Sequence, residues 1–168
     1  TLDALRIARS IKHLNIMLEQ PCPTLKECLQ IREACALPMK LDESVYDVHS
    51  ILNAYQSGCM DAAALKLSKM GGLSNTRKIR DLCLSLGTQM CIEDTWGSNI
   101  ATAAALHLAA STPQKGLLNT CDLSGYVSPI IDSNAPKRKN GRIQPPENPG
   151  LGISPDLDIL GTEKIIID

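Results

Sequence analysis

The sequence predicts an α/β fold in which parallel strands alternate with helices. Three observations predict it. Short apolar runs of roughly four to six residues alternate with longer stretches of helical periodicity. Helix caps and turn formers stand at the junctions. Each apolar run also closes on charge, at Glu19, Asp42, Lys66, Glu93 with Asp94, and Asp122. One helix, then repeated strand–helix units, then a last strand is the order of right-handed crossovers. An open doubly wound sheet and part of a (β/α) barrel both satisfy it. Both gather their chemistry at the carboxyl ends of the strands.

Each element has its own signal. Thr1 to His13 reads as a helix, with Leu2, Leu5, Ile7, Ala8 and Ile11 near a 3.6-residue period and Asp3 in the first turn. Asn15 to Leu18 reads as a strand ending at Glu19, broken by Pro21 and Pro23. Thr24 with Glu27 forms a capping-box pattern for a helix reaching Cys35. Pro38 to Leu41 is the next strand, ending at Asp42; Ser44 is expected to cap a helix that Gly58 stops. Asp61 to Leu67 is a strand carrying Lys66. Ser74 opens a helix closed by Gly87. Gln89 to Ile92 is a strand, Gly97 to Ala110 an Ala-rich helix, and Leu117 to Cys121 the last of these strands. Residues 133–152 are rich in Pro, Asn, Gly and basic side chains and read as an exposed loop, its charges solvated. A strand-like Lys164 to Ile167 follows near the end.

The totals exclude several classes of function. The 168 residues suffice for one domain with a real core. A net charge of -1 gives no electrostatic case for nucleic acid or an anionic membrane. With Phe absent and one Trp, aromatic platforms for single-stranded nucleic acid are missing. No apolar run approaches the roughly 20 residues of a membrane span, and no signal-peptide pattern opens the sequence. Seven cysteines without a CxxC pair favour buried thiols in a reducing, cytoplasmic setting. The three histidines fall at no zinc-ligand spacing with them. The first residue is Thr, so the chain is expected to be processed or a piece of something longer.

The row of strand ends supports a particular chemistry. Glu19 and Asp42, on neighbouring strands, could share a hard divalent ion, Mg²⁺ or Mn²⁺. The competing reading is that they form salt bridges with Lys40 and Lys66. A lysine leaving an apolar strand at a Gly-Gly turn, as Lys66 does, is placed to be desolvated and to act as a base. Beside a cation it could take the proton from the carbon next to a carboxylate, while the cation stabilises the enediolate.

Three turns carry a family resemblance: Glu19-Gln20-Pro21, Asp42-Glu43-Ser44, and Lys66 through Gly72. In that order they resemble the turns of the mandelate racemase/muconate-lactonizing branch of the enolase superfamily. Asn148-Pro149-Gly150-Leu151-Gly152 resembles a segment near that family's C-terminus. The resemblance implies that residues 1–168 are the C-terminal part of a (β/α)7β TIM-like barrel. It implies Glu19 and Asp42 as metal ligands, with Glu43 as the alternative to Asp42, and Mg²⁺ as the cofactor, with Mn²⁺ able to replace it. It implies Lys66 as the general acid/base. Lys69 is expected to be solvated or to support the site indirectly. Asp94, Trp96 and Asp122 would line the pocket and bind substrate. The Asp94-Thr95-Trp96-Gly97-Ser98 turn looks most like the cis-3-hydroxy-L-proline dehydratase group, whose relatives are racemases or epimerases of proline-like amino acids. The implied partner is a small carboxylate or amino-acid substrate, and the full-length form could be a homo-oligomer. The family's capping domain, a lysine turn on the second barrel strand and an Asp ligand on the third would all precede Thr1, so the chain is expected to be truncated. The rival expectation is a catalytically inactive α/β interaction module.

Overall fold

A computed structural model describes residues 1–94 and 97–162. Helix α1 (Leu2–Ile11) leads into β1 (Leu18–Glu19), and α2 (Leu25–Cys35) into β2 (Met39–Leu41). Next come α3 (Val48–Gln56), β3 (Ala62–Lys66), α4 (Leu73–Leu86), β4 (Gln89–Glu93), α5 (Asn99–Ala110) and β5 (Leu117–Thr120). A single-turn helix, α6 (Leu157–Leu160), lies beyond the loop segment. The strands form one five-stranded sheet in the order β1-β2-β3-β4-β5, every neighbouring pair parallel. This unbroken order decides between the two architectures. A doubly wound sheet reverses its strand order at a switch point, whereas a barrel wall runs in sequence.

Side-chain alternation separates the two faces of the sheet. Met39, Leu41, Ala63, Leu65, Met90 and Ile92 turn toward the helices. There they form one core with Ile31 of α2, Ile51 of α3, Ile79 of α4 and Leu108 of α5. The other face carries Glu19, Lys40, Asp42, Lys66 and Glu93 at the strand ends, with small Ala62, Ala64 and Cys91 beneath them. Neither Ala62, Ala64 nor Cys91 belongs to the helix-side core. Register places the charges side by side: Glu19 opposite Lys40, and Lys66 opposite Glu93.

Several local expectations need correcting. The first strand lies later than Asn15 to Leu18 and contains Glu19 itself. Asn15 and Ile16 belong to the turn after α1, because pairing with Met39 and Lys40 sets the register. Thr24 caps α2 through its hydroxyl, but Glu27 reaches back to the hydroxyls of Thr24 and Thr1 rather than to a backbone N–H. The full capping box belongs to α3, between Asp47 and Ser50, and Ser44 is not its cap. In α1, Leu2 and Ile7 remain exposed, and only Ala8 is fully buried. Gly87 does end α4 in the left-handed conformation, as a Cβ-free residue permits. The 133–152 segment is not wholly exposed. Ala135 is buried, and Asn140-Gly141, with φ of 53° and 72°, closes a tight turn between Lys139 and Arg142. The expected strand at Lys164 to Ile167 lies outside the described residues.

Candidate active site

Four strand ends build the site, and the turns after them hold its geometry. Gln20 follows β1 with φ 33° and ties two turns together. Its side-chain Oε1 accepts from the backbone N–H of Asp42 at 2.9 Å and of Ser44 at 3.3 Å. Its amide donates to the Ser44 hydroxyl at 2.7 Å and to the Cys22 carbonyl at 2.8 Å. The Gln of the Glu-Gln-Pro turn thus fixes where Asp42 stands. After β3 the chain reverses through Gly71 and Gly72, with φ of 83° and 95°, values that side chains disfavour. Ahead of the glycines, the turn closed by the Met70 N–H on the Lys66 carbonyl and the Gly72 N–H on the Leu67 carbonyl holds Lys69, whose ammonium meets Asp42 beside Lys66.

Asp42 lies between these two lysines. Its Oδ2 accepts from Lys66 Nζ at 2.5 Å and its Oδ1 from Lys69 Nζ at 2.7 Å. Lys69 also donates to the Asp42 carbonyl at 2.6 Å. Lys66 Nζ stands 3.9 Å from Glu93 Oε1, and Lys40 Nζ stands 2.9 Å from Glu19 Oε2. The salt bridges of the competing reading are therefore formed. Burial works against the Asp42 charge, but the two ammoniums outweigh it and hold the carboxyl below its ordinary range. Burial likewise opposes the Lys66 charge, yet Asp42 and Glu93 prevail and raise its pKa. With only these side chains around it, Lys66 rests as an ammonium. A second cation beside Asp42 and Glu93 would favour its loss of a proton.

Glu19, Asp42 and Glu93 offer carboxylate oxygens that all lie within 4.8 Å of one another. Three hard oxygen donors at that spacing fit a Mg²⁺-like ion. A cation there would share the carboxylates with Lys40, Lys66 and Lys69. Glu43, next to Asp42, is exposed and stands outside this cluster.

The remaining expected residues sit elsewhere. Asp94 follows Glu93 and accepts from the Ser68 N–H at 3.2 Å and the Ser68 hydroxyl, tying the turns after β3 and β4. Asp122 caps a short 3₁₀ turn, accepting from Ser124 Oγ at 2.8 Å, and pairs with Arg138 of the long loop at 3.2 Å. Trp96 lies outside the described residues. Glu93 is the residue that sequence reasoning passed over in favour of Asp94. Its signal was the two-residue period of β4. Cys91 and Glu93 share a face, while Met90 and Ile92 take the helix side. A cavity of about 1120 Å³ lined by Asn134, Lys137, Arg142 and Glu147 shares no residue with the carboxylate cluster.

Comparison with known proteins gives the chain its family. The family model described as Enolase C-terminal domain-like matches residues 1–159. The chain belongs to this family. It is 42% identical over 159 residues to a cis-3-hydroxy-L-proline dehydratase of Roseibium aggregatum, covering 95% of this chain and 43% of that protein. It is 29% identical to muconate cycloisomerase 1 of Rhodococcus opacus, covering 87% of this chain and 40% of that one. Among solved structures, a mandelate racemase/muconate lactonizing enzyme from Roseovarius nubinhibens superposes with a TM-score of 0.90 at 39% identity, over 95% of this chain and 43% of the other. An enolase-superfamily member from the same organism, crystallised with magnesium, superposes at 0.89 with 35% identity, over 95% and 43%. The chain thus spans less than half the length of these relatives. The sheet is accordingly part of the family's barrel wall, and the five consecutive parallel strands are its arc.

Proposed function

We propose that this chain contributes one side of a metal-dependent active site that removes the α-proton of a carboxylate substrate. The reaction would be dehydration of cis-3-hydroxy-L-proline. The observation that carries the reading is Lys66 at the end of β3, held between Asp42 and Glu93 within a cluster of three carboxylates. Identity to a dehydratase of that name supports the substrate. Glu19 and Asp42 would hold a Mg²⁺ or Mn²⁺ ion, with Glu93 within reach. When bound, that ion would stabilise negative charge on the substrate carboxylate as the α-carbon gives up its proton. Lys66, once neutral, would accept that proton at Nζ. Lys69 would hold Asp42 from the other side and keep its carboxylate oriented. Asp94, Asp122 and Trp96 would face the substrate. Loss of the α-hydrogen with the 3-hydroxyl, as water, gives an enamine that tautomerises to a cyclic imine. The residues before Thr1 in longer relatives would supply the rest of such a pocket, so the activity is proposed for the whole protein.

A second reading, epimerisation of proline-like amino acids, rests on the same lysine. Deprotonation followed by reprotonation on the other face needs no leaving hydroxyl. Incubation with Mg²⁺ and cis-3-hydroxy-L-proline, followed by proton NMR, separates the two. The cyclic imine supports dehydration, and the α-epimer supports the second reading. A folded protein that yields neither overturns both.

A further inference from the structure

Glu93 belongs to two clusters. One is the oxygen set with Glu19 and Asp42; the other joins it to the thiols of Cys91 and Cys121, again with all ligand atoms within 4.8 Å. The two faces of the carboxylate are divided between them. Oε1 looks toward Lys66 at 3.9 Å, and Oε2 accepts from Cys91 Sγ at 3.2 Å. Cys91 lies on β4 and Cys121 just past β5, thirty residues apart, and their sulfurs stand 3.8 Å from one another. Neither belongs to the helix-side core that takes in Cys22, Cys28, Cys59 and Cys83. They stand on the face of the sheet that carries the charges, Cys91 buried and Cys121 half-buried. The spacing of cysteines along the chain gave no sign of it, because β-strand register creates it.

We propose that Cys91, Cys121 and Glu93 form a site for a thiophilic divalent cation such as Zn²⁺, distinct from the all-oxygen site beside it. The geometry matches tetrahedral ligation. Two thiolates at about 2.3 Å from zinc, at tetrahedral angles, stand about 3.8 Å apart, the separation found here. A thiolate and a carboxylate oxygen on the same ion stand about 3.6 Å apart, so Glu93 need draw back only slightly from Cys91. Three protein ligands leave a fourth position open. Ligand softness keeps the sites apart, since thiolates select zinc-like ions and carboxylates select Mg²⁺. Both sites draw on Glu93, so a soft ion in the thiol site engages the carboxylate whose other oxygen faces Lys66.

The test uses Co²⁺ as an optical probe of the whole chain under reducing conditions. With the all-oxygen site occupied by excess Mg²⁺, the expected result is a thiolate-to-cobalt charge-transfer band that saturates at one equivalent of Co²⁺. The band falls to about half in Cys121→Ala and vanishes in the Cys91→Ala/Cys121→Ala double variant. It persists in Cys35→Ala, whose thiol lies on α2. Absence of the band, or its survival in the double variant, overturns the proposal. Should the double variant fail to fold, cadmium NMR of the unaltered chain decides. A resonance in the range of mixed two-thiolate ligation supports the site, and one in the range of oxygen-only ligation overturns it.

Discussion

Replacing Asp42 by Asn tests the charge arrangement around Lys66. The side chain of Asp42 is 9% exposed and accepts from two ammoniums, at 2.5 and 2.7 Å. Hydrogen bonds to charged groups contribute about 1.5–3 kcal/mol each. Asparagine keeps one oxygen acceptor and turns an NH₂ toward the other ammonium, so one bond is lost and a donor faces a donor. Removing one partner of a fully buried ion pair costs about 3–5 kcal/mol. Lys66 and Lys69 keep about a fifth of their side-chain surface in water, 20% and 21%, which lowers that figure. The expected loss is about 2–3 kcal/mol. With a urea slope near 2 kcal/mol per molar, the midpoint falls by about 1–1.5 M. The sign with pH follows from the lowered pKa of Asp42. Its contribution is complete above the ordinary value of 3.8 and is lost as pH falls through the lower folded value. The gap between wild type and Asp42→Asn should therefore hold at neutral pH and close in strong acid. Equal midpoints at pH 7, or a gap that stays constant into acid, would refute the reasoning.

Two further substitutions test how the turns are held. Gln20→Ala leaves the N–H groups of Asp42 and Ser44 without their side-chain acceptor and should cost about 2 kcal/mol in urea unfolding. The same variant should weaken Mg²⁺ binding measured by calorimetry, whereas unchanged affinity would mean Gln20 does not position Asp42. Ser50→Ala removes the hydroxyl that accepts from the N–H of Tyr46 and Asp47 and breaks the α3 capping box. A cost of about 1 kcal/mol lowers the thermal midpoint by about 3 °C, with no effect on Mg²⁺ binding.

The strands and their polar ends were legible because short apolar runs closed by charged and turn residues are local signals. Lys66 and Asp42 could be placed at strand ends for that reason. What sequence reading missed depends on pairing. Glu93 was outranked by Asp94 because two adjacent carboxylates look alike until the sheet face separates them. For Lys69 the sequence left solvation and indirect support of the site both open, because the turn that sets it against Asp42 is closed by backbone contacts, Met70 to Lys66 and Gly72 to Leu67. Gln20 was given no role of its own in the Glu19-Gln20-Pro21 turn, because its amide works across two strands, in a contact between residues more than twenty positions apart. Ser44 looked like the cap of α3 because serine favours caps. Asp47 fills that position, and Ser44 instead takes the Gln20 amide.

The most direct test of Lys66 as the base is exchange of the substrate α-hydrogen in D₂O with Mg²⁺, followed by proton NMR for the whole protein and for its Lys66→Ala variant. With cis-3-hydroxy-L-proline or proline as substrate, the account predicts Mg²⁺-dependent loss of the α-hydrogen signal that disappears in the folded variant. Exchange that continues undiminished in Lys66→Ala would contradict it, as would a folded whole protein that binds Mg²⁺ but exchanges nothing.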